Sequence, residues 1–100
     1  MKYKVNQKTI PYQSTRLQGH IDITFQELNK VLGEPIRDVD DKTQAEWVIE
    51  CNGIICTIYD WKVAGNVEYN SNWNIGGAND RAVSVIREIF PNSRINRSRF

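Results

Sequence analysis

This 100-residue chain contains one histidine, two cysteines and three prolines. Each scarcity closes off a class of function. His20, Cys51 and Cys56 cannot complete the four-ligand set of a structural zinc site. Strand alternation places His20 on the face opposite Ile21, away from the face expected to carry both thiols, so a Cys–His nucleophile pair is not expected either. No run of about 18 apolar residues exists, which excludes a transmembrane helix. The opening MKYKVNQKTI has no apolar segment, so no signal peptide is expected. Two cysteines without a secretion signal are expected to be reduced, in the cytoplasm. Six glycines and three prolines exclude collagen-like and low-complexity classes.

An excess of charge of either sign is also nearly absent. The chain has 13 Lys and Arg against 12 Asp and Glu. Arg94, Arg97 and Arg99 lie in the last ten residues with no acid among them, which leaves ten bases against all 12 acids in residues 1–90. The body is slightly acidic and the tail basic, unlike the broad basic footprint of a nucleic-acid binder. What is present is a composition of 40% hydrophobic and 25% charged residues, which suits one folded domain.

Residues 3–14 read as an edge strand or leading arm, because Pro11 cannot donate to a β-ladder. Residues 17–23 alternate as a half-buried strand. Thr24 and Glu27 form a T-x-x-E capping box, with Ile23 and Leu28 as its hydrophobic staple. Phe25, Leu28, Val31 and Leu32 then make a helical stripe, which Gly33 and Pro35 end. Residues 36–44 read as an acidic loop. AEWVIEC and IICTIYDW flank Asn52-Gly53, the strongest short signal for a two-residue type I′ hairpin. That turn fixes the register: Cys51 opposite Ile54, Ile49 opposite Cys56, Trp47 opposite Ile58. The two cysteines are then diagonal, which disfavours a disulfide. Trp73–Ile75 reads as a strand ended by Gly76-Gly77. Helix 80–90 follows, capped by Asn79 and ended by Pro91.

The order is β-β-α-β-β-β-α. It implies an α+β fold: an antiparallel sheet of four or five strands with two helices packed on one face. The division is a single domain over 1–91 and a weakly ordered basic tail over 92–100. The expected core is Leu17, Ile21, Ile23, Phe25, Leu28, Val31, Leu32, Trp47, Ile49, Cys51, Ile54, Cys56, Ile58, Ile75, Ala82, Ile86, Ile89 and Phe90.

Two features suggest a binding site. Gly76-Gly77, read as the start of a helix, would offer free backbone N–H groups and a positive dipole to an anion. Tyr59, Trp61, Lys62, Trp73 and Asn74 gather aromatics with a cation around one sheet region, suited to stacking or to anchoring a protein interface. The site is therefore read as Tyr59, Trp61, Lys62, Trp73, Asn74, Gly76 and Gly77. Arg94, Arg97 and Arg99 serve an alternative, nucleic-acid-binding reading. Asp38, Asp40 and Asp41 lack the glycine and glutamate of a calcium loop and read as solvated, so no metal is expected.

The segments LQGHIDITFQELNKVLGEP, AEWVIE, TIYDWK and WNIGG, in that order over residues 17–90, resemble a set of small proteins of tailed bacteriophages and other large DNA viruses. The resemblance carries no catalytic residues over to this chain, and no cofactor is expected. It implies a small accessory protein in the cytoplasm of an infected host, acting without catalysis. Such a protein would occlude a host defence protein or sequester a small anionic, nucleotide-like ligand, in some cases as a homodimer.

Overall fold

The computed structural model describes residues 1–11 and 14–98. Seven strands form one antiparallel sheet: β1 (Lys4–Val5), β2 (Arg16–Asp22), β3 (Ile36–Arg37), β4 (Ala45–Cys51), β5 (Ile54–Tyr59), β6 (Asn72–Gly77) and β7 (Arg94–Arg97). Their order is β1-β4-β5-β6-β2-β7, with β3 also pairing β4. Helix α1 (Phe25–Leu32) follows β2, a 3-10 turn (Val67–Tyr69) precedes β6, and α2 (Arg81–Ile89) links β6 to β7. The α+β class is as expected. The two strands beyond the expected count are β3 and β7.

The local signals act as the sequence predicts. Thr24 Oγ1 accepts from the Glu27 backbone N–H at 3.1 Å, and Gly33 closes α1 at φ +83° with its N–H on Asn29. Asn52 and Gly53 turn the hairpin at φ +52° and +81°, both in the region a type I′ turn requires. The β4–β5 register is the expected one, residue for residue.

One face of the sheet is the core. Trp47, Ile49, Cys56, Ile58, Trp73, Ile75 and Ile21 carry no exposed surface. Trp47 and Trp73 meet edge to face, with centroids 5.4 Å apart, and Phe25 of α1 tilts against both. Each buried indole N–H finds a carbonyl: Trp47 donates to Gly33 at 2.7 Å and Trp73 to Ile23 at 3.0 Å, as buried Trp requires. Helix α2 adds Ala82, Val83 and Ile86 to the same face.

Three expected positions differ. Val31 is 47% exposed, because the α1 stripe narrows to Phe25, Leu28 and Leu32. Leu17 leaves the core face: a register shift between Leu17 and Gly19 pairs it with Gly76 on the far side. A bulge adds one residue and so inverts the alternation. The expected loose tail is a strand through Arg97. β7 pairs β2 with Ile95 opposite Ile21, and the Ser98 N–H continues the ladder to Gln18 at 2.8 Å.

Both cysteines are free and buried. Burial, together with the neighbouring Cys51, pushes the Cys56 thiol up to about 12. The thiolate is the reactive form, so a thiol reagent at pH 8 is expected to leave Cys56 unmodified in the native protein and to label it within minutes in denaturant. Rapid native labelling of Cys56 would contradict its packing.

Candidate functional site

The second face of the sheet is only partly covered, and it carries the features that could bind something. Strand alternation places Glu46 and Val48 of β4, Ile55, Thr57 and Tyr59 of β5, and Asn74 and Gly76 of β6 on this face. The N-terminal segment lies over part of it. Asn6 ties that segment to the β4 edge: its backbone N–H donates to Val48 O at 2.8 Å, and its side-chain carbonyl accepts from the Val48 N–H at 2.7 Å. Between the segment and the sheet is an open cavity of about 680 Å³, lined by residues that include Lys8, Ile10, Asp40, Glu46, Val48 and Thr57.

Beside the cavity stands a corner built from two loops, residues 38–44 and 60–65. Asp60 organises it. Its carboxylate is 1% exposed and accepts from the Ala45 N–H at 2.8 Å and the Gln44 N–H at 3.0 Å. The Gln44 side chain donates to Val63 and Gly65 carbonyls, each at 3.1 Å. The Lys62 N–H donates to Lys42 O at 2.8 Å. Lys62 thereby sits at φ +55°, a conformation costing a residue with a Cβ roughly 1–2 kcal/mol. These ties present Trp61, 48% exposed. Its ring packs edge to face on Tyr59, with the Lys42 and Lys62 ammonium groups 5.4 and 5.9 Å from its centroid. Burial raises the Tyr59 phenol above its ordinary value, and a side-chain hydrogen bond with Asn74 opposes that rise.

The structure brings together Tyr59, Trp61, Lys62, Asn74 and Gly76 of the expected site. It places Trp73 and Gly77 on the opposite, core face. Trp73 has no exposed surface, and a side chain at Gly77 would collide with Ala82 Cβ. Gly76-Gly77 is not a helix start. Both residues are inside β6, and α2 begins at Arg81. The positive end of α2 already has negative partners: Asn79 Oδ1 accepts from the Arg81 N–H at 3.0 Å, and Asp80 holds Arg97 at 3.1 Å. The anion reading of the glycines therefore loses its basis. Sequence reasoning also missed Lys42, whose approach to Trp61 depends on loop pairing across 20 residues.

Arg94 and Arg97 pair with Asp22 and Gly19 respectively. They are three residues apart on one strand and so project to opposite faces; Arg99 lies outside the described residues. His20 pairs with Asn74 and Asn96 on the partly covered face, across the sheet from Cys56. Among the described residues no group of three or more His, Cys, Asp or Glu could hold a metal ion, and no helix is long and apolar enough to cross a membrane.

Comparison with protein-family models, with curated proteins and with solved structures finds no match.

Proposed function

We propose that this chain is a non-enzymatic binding protein that acts by occluding a protein partner, with the Trp61 corner as its contact. The observation that carries the reading is a half-exposed Trp61 flanked by Lys42 and Lys62 and held by two cross-tied loops. A large amphipathic ring on a rigid support is the usual energetic centre of an interface, because little freedom is lost on binding. Two lysines beside it suit an acidic surface on the partner. The chemistry-bearing residues have other duties: Cys56 is buried with its thiol pushed up to about 12, and Asp60 is committed to backbone N–H groups. Occlusion of a host defence protein in the host cytoplasm is the version of this activity that fits the resemblance to small viral proteins.

Geometry favours this over the two other readings. Sequestration of a small anion needs a cationic hollow, and among the described residues the cavity on this face sets Glu46 and Asp40 against Lys8 alone. Nucleic-acid binding needs cations on one surface, whereas Arg94 and Arg97 diverge and Arg97 is held by Asp80.

The test is affinity capture from an extract of the cells in which the chain is made, with the intact protein and Trp61→Ala side by side. A protein retained by the intact chain, released by salt, and bound at least ~10-fold more weakly by the variant is the expected result. An identical retained set for both proteins would overturn the assignment.

A further inference from the structure

The cavity beneath the N-terminal segment has a chemistry of its own. Its walls are apolar where Ile10, Pro11, Ile36, Val48 and Ile55 line it, and polar at Glu46, Thr57 and Asp40. Among the described residues the Glu46 carboxylate makes no ion pair or hydrogen bond, and it lines the cavity. Thr57 is 5% exposed, and its Oγ1 is buried without a hydrogen-bond partner. Val48 lies opposite Thr57, and Glu46 opposite Tyr59, so Glu46 and Thr57 are diagonal neighbours on one face. That spacing is roughly 7–8 Å between backbones, with side chains closer. Asp40 is already occupied, since its Oδ1 accepts from the Lys42 and Thr43 N–H groups at 2.8 and 2.9 Å. Among the described residues Lys8 is the one cation that lines the cavity.

Thr57 Oγ1 is turned toward Gly76 of β6, which leaves the half-buried Glu46 carboxylate as the cavity's open acceptor, and such an acceptor without a donor is costly. A primary ammonium supplies three donors and the missing charge. We infer that this cavity binds a small organic cation with an apolar body, an aryl- or alkylammonium, its nitrogen on the Glu46 carboxylate and its carbon skeleton against Val48, Ile55 and Ile10. Burial, and secondarily the charge of Asp40, raises the Glu46 carboxyl above its ordinary value, in keeping with an anion that lacks its counter-ion. The site is separate from the Trp61 corner and stands or falls without it.

Three probes of one shape test the inference on the intact protein by NMR titration: phenethylammonium, neutral 2-phenylethanol and anionic phenylacetate. Phenethylammonium is expected to saturate with a Kd below about 1 mM, shifting the amides of residues 46, 48, 55 and 57. The neutral probe should bind ~10-fold more weakly and the anion more weakly still. Glu46→Gln should erase the preference for the cation. This variant is expected to remain folded, because it removes an uncompensated charge rather than one member of a pair. No saturable binding of the cation, equal binding of the alcohol, shifts confined to residues around Trp61, or an undiminished cation preference in Glu46→Gln would each overturn the site.

Discussion

Trp73→Ala is expected to lower stability by about 4 kcal/mol, with no role for any ligand in the loss. The residue has no exposed surface, and its ring packs against both Trp47 and Phe25, which also touch each other. Large-to-small changes of a buried Trp cost roughly 3–5 kcal/mol, of which the cavity left behind is part. The Ile23 carbonyl also loses the indole N–H that reaches it at 3.0 Å, and such an orphaned acceptor adds about 1 kcal/mol. Domains of this size have total stabilities of about 5–15 kcal/mol, so the variant should be marginally folded. Trp73→Phe keeps most of the ring and should lose about half as much. Urea denaturation followed by far-UV circular dichroism measures both. A Trp73→Ala loss under about 1 kcal/mol would mean that the aromatic cluster is not the centre of the core. Trp61→Ala provides the contrast: at a half-exposed corner it should change stability little and partner affinity much.

These two tryptophans show how far the sequence could be read. Elements governed by short-range rules were legible: the Thr24–Glu27 cap, the Asn52-Gly53 turn with its register, and most of each helix's core stripe, apart from exposed Val31 and buried Val85. These depend on residues within a few positions of one another. What depended on distant pairing was not legible. Arg94–Arg97 carries a single strong apolar residue, Ile95, and becomes a strand only because β2 offers it an edge where Gly19 leaves room for the Asn96 carbonyl. The β2 bulge moved Leu17 off the core face without any mark in its neighbours. For the site, alternation correctly grouped Tyr59 with Trp61 near Asn74, but the side to which Trp73 turns was decided by how β6 pairs with β5. The cavity was invisible because its walls come from an N-terminal segment and a sheet face that meet only in the fold. In the sequence Glu46 and Val48 are alternate residues of one strand, and nothing local marks them as cavity lining.

Asp60→Ala is expected to be the most damaging change at a charged position, at about 3 kcal/mol, and to weaken partner capture along with the fold. The carboxylate is the acceptor for the Gln44 and Ala45 N–H groups, at the point where the 38–44 loop becomes β4. Hydrogen bonds to a charged acceptor are worth roughly 1.5–3 kcal/mol each, and Ala would leave two donors stranded next to fully buried Ala45. Asp60→Asn separates hydrogen bonding from charge. Oδ1 reaches both donors, at 3.0 and 2.8 Å, while Oδ2 accepts from the Gln44 N–H again at 3.2 Å, so an amide oxygen in place of Oδ1 keeps the two shorter bonds, gives up the longer one and should cost only about 1 kcal/mol. The functional consequence follows from the same geometry. Lys42, Gln44 and Lys62 hold the two loops together around Asp60, and Trp61 is fixed only while they do. Under conditions where Asp60→Ala is still folded, its Trp61 fluorescence should become more solvent-exposed, and captured partner should fall as it does for Trp61→Ala. Asp60→Asn should retain both properties. If Asp60→Ala loses stability but captures partner normally, the ordered corner is dispensable and the contact lies elsewhere on the sheet. If both substitutions weaken capture equally while Trp61 fluorescence is unchanged, the charge of Asp60 acts on the partner directly rather than through the loops it ties.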